Sequence, residues 1–282
     1  MYIFVKQKHT IMARRKVSGD CKICGEHGKL SYEHVPPEKA YNDNRFYYQY
    51  SMAVLTANEK LFFENSLGSD KLKRLARKKQ GGIGFHTLCM KCNNHTGSWY
   101  GSDFVSWTHQ SMAIILKANG KPTLLYPTFF YPLRIIKQII TMFFSVNHEG
   151  FNDLEPELVN FVLNKEKRFL SPRYKIYCYY NLVGERRYIG NNIIGEVGST
   201  SVCSISEISF PPFGFVMTID SESPDKRLTD ISHFANSPYK KWVPYYQKYN
   251  VLPSHLPYSP ADYRTYEEIN GSFEMDEHIN KS

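Results

Sequence analysis

The sequence lacks any long apolar run. Nowhere in its 282 residues is there a stretch that approaches the roughly 20 apolar residues a membrane-spanning helix needs. The nearest candidate, residues 135–146, is interrupted by Lys137, Gln138 and Thr141. Residues 1–10 have no small-residue cleavage site behind a long apolar core, so a secretory signal is not expected. The sequence therefore predicts a soluble, cytoplasmic protein with no membrane partner.

Internal repeats and a phosphate-binding glycine loop are also missing. The first absence argues against solenoid and propeller architectures, and the second against folds that hold nucleotide phosphates on a glycine-rich turn. Hydrophobic residues make up 42% of the chain and aromatic residues 15%, which is enough for an ordinary core. The length suits one compact domain or two unequal ones.

Cysteine is scarce, with six residues, yet four of them form two matched pairs. Cys21–Cys24 and Cys89–Cys92 have the C-x-x-C spacing, which places two thiolates on one tight turn. Together they supply the four sulfur ligands of a closed structural Zn²⁺ site. A redox site is the alternative, but two matched pairs in a chain without a secretory signal favour a metal. Cys178 and Cys203 fall in predicted strands, where we expect ordinary core residues.

A second motif lies between the two cysteine pairs. Residues 33–37 read EHVPP, an acid and a histidine followed by an aliphatic residue and prolines, and residues 93–95, directly after the second pair, read NNH. This order of parts, over residues 21–97, resembles the HNH endonuclease family in the form whose ββα-metal fold is braced by a four-cysteine zinc. An acid–histidine dipeptide occurs by chance, whereas its position between two matched cysteine pairs is specific.

The resemblance implies a metal-dependent endonuclease that hydrolyses DNA phosphodiester bonds. In that family pattern His34 is the general base that activates water, and Glu33 and Asn93 hold one catalytic divalent ion. An imidazole titrates near neutral pH, which suits proton removal, and carboxylate and amide oxygens suit Mg²⁺ or Mn²⁺. The zinc ion held by the cysteines would be structural.

Two positions depart from the family pattern. The family usually has an asparagine in the loop before the second cysteine pair, and residues 83–86 contain none. That role could fall to His86 or to an asparagine within the insertion 41–82. One helical turn after Asn93 the chain has Gly97, where the family often has another ligand. His95 is the candidate replacement, although two residues along a helix point to different sides.

Positive charge is concentrated in the first 100 residues. They contain 17 Lys or Arg and 8 Asp or Glu, a net charge of +9, whereas the rest of the chain has a net charge of −1. Such localised basicity attracts a phosphate backbone, so the expected partner is nucleic acid, with DNA preferred. Residues 69–80 have a helix-favouring composition that places Lys71, Arg74 and Lys78 on one face. That face fits DNA phosphates and a solvated surface equally well.

The predicted fold class is α+β, with an N-terminal zinc-braced ββα-metal (HNH-like) module and a C-terminal α+β domain that contains an antiparallel sheet. The expected divisions are a basic extension 1–20, an HNH-like domain 21–118, an accessory domain 119–265 and an acidic flexible tail 266–282. In the N-terminal half we expect an extended segment over 30–35, a strand or stacking surface over 46–50, core positions at Phe62 and Phe63, and a helix from Asn93. In the C-terminal half we expect a connector over 122–132 and helices over 133–146 and 154–163. A meander of strands is expected over 174–183, 187–196, 201–209 and 213–219.

A non-catalytic interpretation stays open beside the enzyme. The same residues would suit a zinc-ribbon module that binds nucleic acid or protein and cuts nothing, with His34 supporting the fold. A homodimer, or a partner protein of a defence system, is also compatible with the sequence.

Overall fold

The computed structural model describes residues 17–252, apart from residues 45, 51, 59, 62–69, 118–122, 182–185 and 196–201. Most of the predicted basic extension, together with Phe62, Phe63 and the tail 266–282, lies outside this part of the chain. Among the described residues, no helix combines the length and the apolar character that a membrane span requires.

Residues 17–116 contain short strands and helices. In chain order they are β1 (Ser18–Asp20), β2 (His27–His34), β3 (Phe46–Gln49), α1 (Met52–Ala57), α2 (Asp70–Lys73), β4 (Arg77–Gln80), β5 (Gly84–Cys89), α3 (Met90–Thr96), a π-helical turn (Gly97–Gly101) and α4 (Ser102–Leu116). A three-stranded antiparallel sheet has the order β1–β2–β5, and β3 and β4 form a separate two-stranded ribbon. The sheet therefore begins inside the predicted extension, and β3 confirms the strand alternative for residues 46–50.

The pairing of β2 with β5 brings the two motifs of the sequence together. Leu30 lies opposite Cys89, and His34, the last residue of β2, lies opposite Gly84. α3 follows β5 without a loop and packs against both strands. β2, β5 and α3 thus pack together, with the helix directly after the second strand of the pair.

α3, the π-helical turn and α4 form one helical segment from Met90 to Leu116. Its N-terminus is capped by Cys89, whose Sγ atom accepts a hydrogen bond from the backbone N–H of Cys92 at 3.4 Å. Phe104 and Trp107 of this segment are buried, whereas Leu116 at its end is exposed. One end of this segment therefore carries a cysteine pair, and the other contributes to the core.

The predicted helix over residues 69–80 is wrong. α2 ends at Lys73, and the chain then turns into β4, which pairs with β3. On one helix, Lys71, Arg74 and Lys78 would place like charges three and four residues apart, which is destabilising. In the structure, Lys71 lies in α2, Arg74 follows α2, and Lys78 lies in β4. The three cations are exposed, but they do not share a helix face.

Residues 123–252 contain helices and a larger sheet. In chain order the elements are β6 (Thr123–Phe130), α5 (Pro132–Val146), α6 (Phe151–Leu154), α7 (Pro156–Leu163), β7 (Tyr174–Asn181), β8 (Arg187–Gly195), β9 (Val202–Phe210), β10 (Phe213–Ile219), β11 (Thr229–Asp230), a 3₁₀ helix (Ser232–Asn236) and β12 (Val243–Leu252). Both predicted helices are confirmed, the second being divided at Pro156, which starts α7 because a first helical position tolerates proline. The predicted connector over 122–132 is instead the strand β6.

The larger sheet is antiparallel except at one pair of strands. Its order is β6–β12–β7–β10–β9–β8, with β12 parallel to β7 and β11 added to β7. The predicted antiparallel sheet is confirmed, but the simple meander is wrong, because β7 pairs with β10 and not with β8. β7 and β10 are almost entirely buried and take central places, whereas the partly exposed β8 lies at the edge. The fold class is α+β, as predicted.

α5 lies at the centre of a core to which both parts of the chain contribute. All of its residues except Arg134 and Val146 are buried. Trp107 of α4 stacks on Phe213 of β10, with ring centroids 4.0 Å apart. Cys21 belongs to the same cluster of buried residues as Phe213. The predicted module and the predicted accessory domain therefore share one hydrophobic core.

Lys137 is a buried lysine within α5. Its Nζ atom donates hydrogen bonds to the carbonyl oxygens of Phe161 and Asn164, at the end of α7, each at 2.6 Å. It thereby satisfies carbonyl groups that a helix end leaves without a partner. Burial lowers the pKa of Lys137 to about 7, because desolvation disfavours the charged amine.

Replacing Lys137 should change how stability depends on pH. In the unfolded chain the amine titrates near its ordinary value, so between about pH 7 and pH 10 the unfolded state binds more protons than the folded state. The unfolding free energy of the wild type should therefore gain a rising contribution across this interval, which Lys137→Met should lack. Urea denaturation at several pH values measures the difference, and parallel curves for the two proteins would contradict a low folded-state pKa.

Candidate metal centre and adjoining cleft

The four paired cysteines meet at one point. The Sγ atoms of Cys21, Cys24, Cys89 and Cys92 all lie within 4.8 Å of one another. The sulfurs of Cys24 and Cys89, one from each pair, are 3.9 Å apart. In a tetrahedral site with Zn–S bonds of about 2.3 Å, neighbouring sulfurs are about 3.8 Å apart. The four cysteines could therefore hold a metal ion such as Zn²⁺, in agreement with the sequence.

Backbone hydrogen bonds shape the turn of the first pair. The N–H of Gly25 donates to the carbonyl oxygen of Cys21 at 2.8 Å, and Gly25 has a φ of 74°, a conformation that favours glycine. The N–H of Lys22 donates to the carbonyl oxygen of Thr87 in β5 at 2.9 Å. This bond ties the first turn to the strand that leads into the second pair. The sheet thus positions both halves of the sulfur cluster.

The thiol groups are close enough to change one another's acidity. A hydrogen bond with the side chain of Cys92 lowers the pKa of Cys21 to about 4, and the same contact raises the pKa of Cys92. Burial raises the pKa of Cys24 to about 11. Thiolates this close repel one another, and a divalent cation is the group that offsets such repulsion. Donor set and electrostatics both fit a structural Zn²⁺ ion.

A cleft of about 450 Å³ opens where β2, the helical segment 90–116 and α5 meet. Its wall contains Glu33, His34 and Asn93, the residues that the sequence assigns to water activation and to the catalytic ion. The π-helical turn also lines the cleft, and such turns within α-helices are frequent at functional sites. Gln138 of α5 contributes from the C-terminal part of the chain.

Glu33 of β2 is buried against α5, with 6% of its surface exposed. Its Oε2 atom accepts a hydrogen bond from the hydroxyl of Ser145, near the end of α5. Ser145 in turn accepts a hydrogen bond from the hydroxyl of Thr87 at 3.0 Å. Burial raises the pKa of Glu33 to about 8, and the Ser145 hydrogen bond partly offsets this rise. A cation beside Glu33 would favour its ionised form.

Asn93 and His34 face the same cleft from different elements. The Nδ2 atom of Asn93 donates to the Oγ atom of Ser31 at 3.1 Å and to the carbonyl oxygen of Tyr32 at 3.4 Å. These bonds fix the carboxamide group against β2 through its nitrogen atom. They do not involve its oxygen atom. The half-buried ring of His34 makes an edge contact with Tyr32, with centroids 5.1 Å apart. Its ring nitrogens have no hydrogen-bond partner among the described residues.

The structure does not bring His95 to this cleft. His95 is exposed and stacks on Trp99, with ring centroids 4.9 Å apart. Two positions along α3 from Asn93 correspond to about 200° around the helix axis, so the two side chains face different directions. The structure therefore does not support His95 as a replacement ligand.

Asn42 braces the chain where it leaves β2 and where it enters β5. Its side chain is fully buried: Nδ2 donates to the carbonyl oxygens of Pro36 and Ile83, and Oδ1 accepts from the N–H of Ile83, all at 2.7 Å. Pro36 follows His34 by two positions, and Ile83 immediately precedes β5. Asn42 therefore ties the chain that leaves β2 to the chain that enters β5. Of the two alternatives left open by the sequence, the asparagine of the insertion makes these contacts, and His86 is exposed.

Two glycines permit this close approach. A Cβ atom at Gly82 would collide with the backbone of Asn42 and would lie 2.9 Å from Cδ2 of His34. A Cβ atom at Gly84 would collide with the carbonyl oxygen of Glu33. The end of β2 and the start of β5 can therefore meet beside the cleft only because both positions lack a side chain.

Sequence reasoning missed the part that the C-terminal residues take in this site. Gln138 and Ser145 lie seven positions apart on α5, about two helical turns, and so share one side of the helix. Oε1 of Gln138 is buried without a hydrogen-bond partner among the described residues. Tyr188 of β8 donates to the carbonyl oxygen of Val35 at 2.6 Å, directly after His34. The available signal was the presence of polar residues inside an otherwise apolar helix.

Sequence and fold were also compared with known proteins. The chain matches no protein-family model, no curated protein and no solved structure.

Cys92→Ser should remove the bound metal and destabilise the chain, because the binding free energy of a structural zinc site is largely folding free energy. We expect zinc in the wild type and its loss from Cys92→Ser and Cys24→Ser, with a lower Tm for both variants. Cys203→Ser changes a cysteine outside the cluster and should retain the metal. Elemental analysis and thermal unfolding measure both effects. A zinc-free Cys92→Ser protein with the wild-type Tm would contradict the assignment.

Asn42→Ala should lower the unfolding free energy by roughly 2–4 kcal/mol, because it removes three hydrogen bonds and leaves the buried N–H of Ile83 without an acceptor. Asn44→Ala is the matched control, since Asn44 makes one long hydrogen bond, at 3.5 Å, to the carbonyl oxygen of Tyr41. The control should change stability by less than about 0.5 kcal/mol. Urea denaturation compares the two variants, and equal effects would show that Asn42 does not brace the cleft.

Proposed function

We propose that the chain is a metal-dependent endonuclease of the HNH type that hydrolyses DNA phosphodiester bonds. The observation that carries this proposal is that His34, Glu33 and Asn93, from β2 and α3, line one cleft. The four-cysteine cluster joins the turn before β2 to the junction of β5 and α3. The net charge of +9 on the first 100 residues supports a polyanionic substrate.

In the proposed reaction, the imidazole of His34 removes a proton from a water molecule while the water oxygen attacks phosphorus. The bond between phosphorus and the 3′ oxygen breaks on the opposite side, and the departing oxygen takes up a proton from solvent. Glu33 and Asn93 would hold Mg²⁺ or Mn²⁺ through one carboxylate oxygen and one amide oxygen. Such an ion neutralises charge on the phosphate in this class of reaction, while the zinc site would be structural.

The remaining contacts of the cleft support these roles by holding the reacting groups in place. Ser145 fixes the carboxyl group of Glu33 from α5, and Ser31 fixes the carboxamide of Asn93. Asn42 fixes the chain directly after His34. A general base and a metal ligand must be held to within fractions of an ångström, because misplacement lowers the rate steeply.

A non-catalytic zinc module is the second candidate function. One observation favours it: Glu33 is buried, is bonded to Ser145 and has a pKa raised to about 8, which is the environment of a protonated structural residue. In this alternative the chain binds nucleic acid or protein through its basic surface, and His34 supports the fold.

Nicking of supercoiled plasmid separates the two functions. Zinc-loaded protein should nick in the presence of Mg²⁺ or Mn²⁺, and His34→Ala should slow this by at least about 100-fold, since it removes the general base. Zinc content and Tm should stay unchanged. His27→Ala is the control, because His27 is exposed at the opposite end of β2 and pairs with Asp20; it should cut at the wild-type rate.

Two other results of the nicking experiment would change the proposal. Wild-type protein that binds DNA but leaves plasmid intact with either ion would support the non-catalytic module. Nicking that persists in His34→Ala would show that another group activates water, and would remove His34 from the proposed mechanism.

A further inference from the structure

We propose that the β3–β4 ribbon is a DNA-binding arm that enters the major groove of duplex DNA beside the cleft. The placement beside a cutting site rests on the proposed nuclease function, whereas the binding itself can be measured without cleavage.

The ribbon and its approach are strongly basic. Residues 70–82 contain six Lys or Arg and one acidic residue, Asp70, which is paired with Lys73 at 3.2 Å. Residues 77–79 of β4 read RKK, and all three are exposed. Three consecutive exposed cations contribute nothing to a core, and they attract a polyanion by Coulomb steering and by release of its counterions. The charge therefore points to nucleic acid as the ligand.

Chain topology places the ribbon at the catalytic end of the small sheet. His34 ends β2 and lies opposite Gly84, which starts β5. The ribbon interrupts the connection between these two residues, and its inner end is the pair Phe46 opposite Gln80. Gln80 precedes Gly84 by four positions, so their Cα atoms are at most about 14 Å apart. DNA held by the ribbon would therefore pass close to His34.

Both faces of β4 carry positive charge. Side chains alternate along a strand, so Arg77 and Lys79 share one face, and Lys78 takes the other, opposite Tyr48 in the register. A flat surface that binds one phosphate backbone needs cations on one face. A ribbon with cations on both faces suits a groove that has a phosphate backbone on each side. The geometry of β4 therefore favours insertion into a groove.

The width of the major groove distinguishes duplex DNA from other polyanions as the ligand of the ribbon. The major groove of B-form DNA is about 12 Å wide and admits a two-stranded β-ribbon. The corresponding groove of double-stranded RNA is deep and too narrow for side chains to reach. A single strand has no groove between two backbones. The ligand of the arm is therefore B-form duplex DNA.

The test combines Arg77→Gln with Lys79→Gln in the zinc-loaded full chain, in a His34→Ala background and without added Mg²⁺. Fluorescence anisotropy with a short DNA duplex should show binding weakened about tenfold near physiological salt. The slope of log affinity against log salt concentration should fall by about 2, one for each lost phosphate contact. Lys240→Gln with Lys241→Gln removes the same charge from exposed residues elsewhere and should match the parent protein.

Three results would overturn the arm: equal weakening in the Lys240 and Lys241 control, an unchanged salt slope, or a loss confined to single-stranded DNA or to RNA. Zinc content and circular dichroism verify that each variant is folded. Failure of the two proposals is distinguishable. A protein that never cuts but loses duplex binding in the ribbon variant refutes only the nuclease. A protein that cuts, with a ribbon variant that binds like its parent, refutes only the arm.

Discussion

The site depends on the close approach of the Sγ atoms of Cys21, Cys24, Cys89 and Cys92. This approach joins the turn before β2 to the junction of β5 and α3, so the pairing of the two strands and the position of the helix are fixed together. His34 at the end of β2 and Asn93 in α3 take their relative positions from this joint. A metal held by the cysteines would add to the stability of this part of the chain, because the binding free energy of a structural site is largely folding free energy.

The second constraint comes from α5. Ser145 reaches Glu33, and Gln138 lines the same cleft, although both belong to the C-terminal part of the chain. Tyr188 adds a bond directly after His34. Residues 21–118 therefore share their core with residues from elsewhere in the chain, which also supply part of the cleft wall. The C-terminal residues that the sequence assigns to an accessory domain therefore also form part of the site.

The sequence predicts those features that depend on local spacing. Two C-x-x-C turns determine their own geometry, and the helix 132–146 follows from its apolar content. Asn42 could not be chosen in advance, because its partners are backbone groups whose positions depend on the path of the whole insertion. β4 could not be predicted, because residues 69–80 have the composition of a helix, whereas residues 77–80 pair with β3, which is distant in sequence. Sheet order likewise depends on burial that only the complete fold defines.

The two functions proposed for the cleft place different demands on Glu33 and His34. At pH 7, removing the proton from a carboxyl group with a pKa of about 8 costs about 1.4 kcal/mol, which a neighbouring divalent cation can readily offset. The raised pKa of Glu33 therefore does not argue strongly against catalysis. His34 is half-buried, so water can satisfy its ring nitrogens in either function. Within the described residues those nitrogens have no partner, and the ring lines an open cleft. An imidazole in this position can accept a proton from water, as the proposed reaction requires.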